Sequence, residues 1–122
     1  MIREVEMYKA LGEDTRLRIM RIMVKAEREL CACEIIDILE KPQYTISKSL
    51  GVLVSTGILS ERREGRMMFY RMKTEDAFVS ALLESVAKVS EAADPVFKED
   101  AARMKIRIAK RKNGKCVDVC GK

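Results

Sequence analysis

Residues 43–72 constrain the fold more than any other part of the chain. Ile46, Leu50, Leu53 and Val54 recur at helical intervals through a stretch that Pro42 precedes and Gly57 follows. Two six-residue runs come next, 58–63 and 67–72, around Glu64-Gly65-Arg66, which is the pattern of a β-hairpin. A helix that feeds straight into a hairpin leaves few arrangements for the segments on either side.

Those segments read as helices. Ile2, Val5, Tyr8 and Leu11 form a stripe at steps of three, ended by Gly12. Asp14 or Thr15 caps a second helix to about Lys25, with Leu17, Met20 and Met23/Val24 inward. A third covers about 33–40, with Ile35, Ile36 and Leu39 inward. Beyond the hairpin, Thr74 caps a fifth helix, with Glu75 and Asp76 in its first turn and a stripe of Phe78, Leu82, Val86 and Val89. Asp94-Pro95 opens a sixth, to about Lys110. The predicted fold is mostly α with a small β-hairpin: a winged helix-turn-helix of about six helices and a two-stranded wing. One domain is expected over residues 1–122, with a flexible, cysteine-containing tail from about 112.

The chain is long enough for a hydrophobic core, and its 48% hydrophobic and 35% charged residues describe a globular protein. No apolar run approaches the roughly 20 residues that span a bilayer. The opening Met1-Ile2-Arg3-Glu4-Val5-Glu6 has no signal-peptide character, so a cytoplasmic protein with reduced thiols is expected. A net charge of +5 points to an anionic partner, nucleic acid ahead of a membrane surface. There is no Trp and only three Phe and three Tyr, too few for single-strand stacking platforms, so duplex DNA is the expected form. There is no His, which removes the commonest general base and a common metal ligand. An enzyme acting on a small organic substrate is not expected.

The fourth helix supplies the residues for duplex recognition. Gln43, Tyr44, Thr45, Ser47, Lys48 and Ser49 surround the inward Ile46 and Leu50. Gln, Thr and Ser suit base edges, Lys and Ser suit phosphates, and no acidic residue occurs from Lys41 to Thr56. Arg62, Arg63 and Arg66 place positive charge on the hairpin for phosphate or minor-groove contact. Arg103–Lys115, also rich in Lys and Arg, reads as a solvated helix face, and the eight Met read as packing.

Tyr8–Ile19 resembles the opening of the ArsR/SmtB family of metal-responsive repressors. Glu29-Leu30-Cys31-Ala32-Cys33-Glu34-Ile35 is similar to its metal box, Gln43–Leu50 to its recognition helix, and Arg62–Arg71 to its wing. The resemblance covers about residues 7–73 and points to the arsenic-sensing branch. It implies a homodimer paired largely through the first and fifth helices, repressing its own operon from a palindromic operator. Three positions depart from the family pattern. Ile36 stands where the arsenic-sensing branch often has a third cysteine, and Ser49 where the recognition helix usually has His. The zinc and nickel site of the fifth helix, built with His, has no counterpart in a chain without His.

The four cysteines form two pairs, Cys31/Cys33 and Cys116/Cys120. Thiolates select soft ions, and the resemblance to the arsenic-sensing branch makes As(III) or Sb(III) the expected effector, with Cd(II), Pb(II) and Zn(II) as further candidates. In a helix, residues two apart lie about 200° apart, so Cys31 and Cys33 can share an ion only if the start of the third helix is extended or distorted. Such a distortion would reach the fourth helix. Cys116 and Cys120 would share a face if helical, and Lys110, Arg111, Lys112 and Lys115 nearby would favour their thiolates. A thiol-redox switch of the same fold, incidental buried thiols, a dithiol reductase and a metal carrier are the rival readings. C-x-C and C-x-x-x-C are not the C-x-x-C of thiol oxidoreductases, which weakens the enzyme among them.

Overall fold

The structure is a computed structural model that describes residues 2–111. Six α-helices run in order: α1 (Arg3–Leu11), α2 (Asp14–Ala26), α3 (Ala32–Leu39), α4 (Gln43–Ser55), α5 (Ala77–Ala87) and α6 (Pro95–Ala109). A 3₁₀ turn over Glu91–Ala93 precedes α6. The strands are β1 (Leu30–Cys31), β2 (Leu59–Glu64) and β3 (Met67–Met72), in the order β1-β3-β2 with both pairings antiparallel. This is the winged helix-turn-helix expected, with one addition. The wing hairpin carries a third strand, two residues long, just ahead of α3.

The termini of α4 explain its sharp limits. Pro42 stands at its N-cap, and its C-terminus closes in a Schellman motif. There the Ile58 N–H donates to the Leu53 carbonyl and the Gly57 N–H to Val54, both at 3.0 Å. Gly57 has φ +88°, which a side chain rarely tolerates, and a Cβ there would also meet Met7 at 3.4 Å. The hairpin turns through Gly65 and Arg66 between Glu64 and Met67, with Gly65 at φ +62°.

Three expectations about caps and stripes are corrected. Glu13, not Asp14 or Thr15, caps α2, its carboxylate accepting from the Thr15 and Arg16 amides at 3.1 Å. Asp76, not Thr74, caps α5. Asp76 lies two and three residues before the amides of Phe78 and Val79 that open α5, where Thr74 is too far back, and Arg3 pairs with it at 2.6 Å from the start of α1. Ile38, rather than Ile36, joins Ile35 and Leu39 in burial on α3.

The core sits between α2, α3, α4 and α5, with Met7, Ile19, Met20, Met23, Ile35, Leu50, Leu53 and Val79 fully or almost fully enclosed. Leu82 and Val86 of α5 belong to it. By contrast Ile2 is 65% and Tyr8 61% exposed, and Tyr8 meets Phe78 edge-on at 5.7 Å between ring centroids. An apolar strip on α1 therefore remains outside the core.

Candidate DNA interface and thiolate site

The helix-turn-helix is α3 and α4. On α4, Gln43, Tyr44, Ser47 and Lys48 are exposed, Tyr44 at 75%, and Thr45 is half-buried. These five line the solvent side of a helix whose first turn carries no carboxylate. The helix N-terminus adds partial positive charge, which suits phosphate. Ser49 departs from the expectation. It is only 6% exposed, because it shares the inward face with Ile46, Leu50 and Leu53, and as placed it is not open to a base edge.

The wing arginines differ among themselves. Arg63 and Arg66 are exposed at the hairpin end. Arg62 is exposed too, but engaged: it donates to Glu29 at 2.7 and 2.9 Å and to Glu64 at 2.7 Å, and lies over the Phe69 ring at 4.6 Å. These hydrogen bonds, to Glu29 first and then Glu64, raise its pKa further above the ordinary arginine value. A phosphate would compete with two carboxylates for it.

The first cysteine pair lies where wing and reading head meet. Cys31 is the last residue of β1 and the N-cap of α3, with extended backbone at φ −91°, ψ 161°. It is thus outside the helix, and Cys33 lies in the first turn. The extension that chelation requires is present. Cys31 is 1% exposed and Cys33 half-buried. A reciprocal capping box fixes the turn: the Cys31 side chain takes the Glu34 amide, and the Glu34 carboxylate takes the Cys31 amide at 3.0 Å. Among the described residues, no three Cys, Asp or Glu side chains cluster as a metal site. Cys116 and Cys120 lie outside the described residues.

Glu34 is fully buried, and Arg111 answers its charge with two 2.7 Å hydrogen bonds. Burial pushes its carboxylate up. The Arg111 hydrogen bonds, the Cys31 amide and the charges of Arg111 and Arg107 outweigh that and hold it below the ordinary carboxylate value. Arg111, just past the end of α6, is the last of three arginines, spaced by four, that face α3. Arg107 meets Asp37 at 2.7 Å, and Arg103 donates to the Ile38 carbonyl at 2.6 Å. Arg18 of α2 joins the same helix pair through Asp100, at 2.8 and 2.9 Å. The reading of 103–115 as a solvated face fails for these three arginines. The inward stripe of α6 runs Phe97, Asp100, Met104, Arg107, and the sequence signal was charge at positions where the period demands apolar residues.

Comparison with known proteins gives the same assignment. A profile described as "Bacterial regulatory protein, arsR family" matches residues 13–61. The chain is 45% identical over 65 residues to an uncharacterised HTH-type transcriptional regulator of Methanocaldococcus jannaschii, covering 53% of this chain and 72% of that one. It is 39% identical over 85 residues to the arsenic resistance transcriptional regulator ArsR1 of Pseudomonas putida, covering 69% of this chain and 66% of that protein. It is also 35% identical over 79 residues to a cadmium resistance regulatory protein CadC homolog of Staphylococcus aureus, covering 65% and 63%. The chain thus spans just under two thirds of the length of these last two relatives. The solved structure of HlyU from Vibrio cholerae superposes with a TM-score of 0.64 at 26% identity, over 71% of this chain and 90% of that one. The three relatives are transcriptional regulators, and the dithiol-reductase reading has no counterpart among them. The chain belongs to the arsR family of bacterial regulatory proteins.

Proposed function

We propose that the protein is a homodimeric, cytoplasmic repressor that binds a palindromic operator through α4 and the wing. It releases that DNA when a soft metal(loid) is taken up by its cysteine thiolates. As(III) or Sb(III) is the first choice, ahead of Cd(II), Pb(II) and Zn(II). One observation carries the reading: Cys31 stands extended at the N-cap of α3, the first helix of the DNA-reading pair, with Cys33 in the first turn. A bound ion would gather thiolates, and the backbone it draws on is the first turn of α3, the helix that packs against α4. The names of the arsenic- and cadmium-resistance relatives support a thiophilic effector.

Two thiolates leave a soft ion short of donors, and Cys116 and Cys120 are the proposed remainder. Arg111 is held against the box by Glu34 and the Glu29 carbonyl, and Cys116 follows five residues later. Five extended residues reach at most about 18 Å, enough to return to the box of the same chain. Gln43 and Thr45 would read base edges, Tyr44 and Ser47 would line the groove, and Lys48, Arg63 and Arg66 would hold phosphates. Ile2, Val5 and Tyr8, with Phe78 beside them, form the proposed dimer face.

The test is fluorescence anisotropy on the DNA upstream of the chain's own reading frame, with As(III), Sb(III), Cd(II), Pb(II), Zn(II) and diamide as effectors. Sequence-specific, salt-dependent binding that a thiophilic ion reverses is expected. Release by diamide alone would establish the redox switch instead. Equal affinity for random duplex would remove the operator reading.

A further inference from the structure

We infer that Arg111 is a positioning residue for the thiolate site, holding Cys31 out of the helical register that would turn its thiol away from Cys33. The inference rests on the reading of Cys31 and Cys33 as effector ligands. One guanidinium ties the chain on both sides of Cys31. Arg111 donates to the Glu29 carbonyl at 2.8 Å, two residues before it, and to both Glu34 carboxylate oxygens at 2.7 Å, three residues after it. Glu34 in turn holds the Cys31 amide at 3.0 Å. The extended residue is thus bracketed by a buried, charge-assisted network.

Removing the guanidinium leaves a fully buried carboxylate without its strongest partner and the Glu29 carbonyl without this donor. Glu34 would then turn toward water, and its grip on the Cys31 amide would go with it. If α3 propagates back through Cys31, the two thiols stand about 200° apart and cannot share an ion. Lysine does not substitute. A single ammonium cannot hold two carboxylate oxygens and a carbonyl in the plane of a guanidinium fork.

Arg103 is the internal control. It clamps the same helix pair through the Ile38 carbonyl, far along α3 from the box, and is braced by Asp100 of its own helix. A merely structural ladder predicts the same behaviour from both arginines, whereas positioning predicts that only Arg111 matters to the ion.

The experiment is a chelator-competed Cd(II) titration of the reduced full-length protein, read by thiolate-to-cadmium charge-transfer absorption. Wild type, R111M, R111K, R103M and C31S are compared, with circular dichroism reporting the fold. R111M and R111K should bind Cd(II) about 10–100-fold more weakly, with a weaker band per ion, and R103M within about twofold of wild type. If R111M does not fold, R111K against R103M decides. Wild-type affinity and band in the Arg111 variants overturn the inference alone, as does an equal loss in R103M. Failure of the wild type to bind Cd(II), or wild-type binding by C31S, overturns the thiolate reading and this inference with it.

Discussion

Cys31 stands directly opposite Phe69 in the antiparallel pairing of β1 with β3, and the Arg62 guanidinium lies over that same ring at 4.6 Å. The thiolate candidate is therefore a sheet neighbour of the wing as well as the cap of α3. An ion that pulled Cys31 would act on the wing and on α3, which packs against α4, through one residue. Amide hydrogen exchange at Phe69 and Tyr70 should change when Cd(II) or As(III) binds, together with exchange in α3. Unchanged protection across β3, with α3 altered, would confine the coupling to the helix pair.

Asp100 anchors α6 to the rest of the domain. It is 1% exposed and faces Arg18 and Arg103 at 2.8 and 3.0 Å. Asp100→Ala leaves two guanidinium groups without their shared carboxylate, and should cost about 3–5 kcal/mol in urea unfolding. A loss below about 1 kcal/mol would mean that α6 is not held through this pair.

On α4, Lys48→Ala should weaken binding to operator and random duplex alike and lower the salt slope by about one. Gln43→Ala and Thr45→Ala should instead lose discrimination between sites, by roughly 1–3 kcal/mol for a base contact. On the wing, Arg63→Ala and Arg66→Ala should behave like Lys48→Ala. Arg62→Ala should have the smaller effect, since Glu29 and Glu64 already occupy that side chain. Salt-dependent anisotropy on both DNAs separates the cases, and identical effects from all six variants would refute the groove assignment.

How far the sequence disclosed this arrangement depends on the range of the forces involved. The limits of α4, the presence of the hairpin and the Asp94-Pro95 start of α6 follow from local rules, and proline, glycine and period sufficed to place them, although Glu64, read as part of the turn, ends β2 and pairs with Met67. The caps at Glu13 and Asp76 were displaced because several neighbouring polar residues compete for the same amides, and geometry chooses among them. β1 escaped notice because two residues carry no period; only pairing with Tyr70 and Phe69 defines it. Ser49 looked available in a helix of polar residues, yet it falls on the side packed against the core. Arg107 and Arg111 bind carboxylates 70 and 77 residues away in sequence, and no local pattern names such a partner.

The strip of Ile2, Val5 and Tyr8 calls for a partner surface. Sedimentation at micromolar concentration should give a dimer, and Val5→Glu with Tyr8→Glu should give a monomer with much weaker operator binding. A wild-type monomer that still binds the operator would remove the dimer from the account.

The most direct test of the central claim is operator binding by Cys31→Ser and Cys33→Ser, with and without As(III). Serine at 31 keeps a hydroxyl at the N-cap with Glu34 three residues on, itself a capping-box sequence, so α3 should survive the change. Without the ion, both variants should bind the operator within about twofold of wild type. With it, wild type should be released and both variants should stay bound, because only the ion couples these thiols to DNA; that coupling is typically about 1–3 kcal/mol. Release of both serine variants at the wild-type As(III) concentration would contradict cysteine sensing at this box.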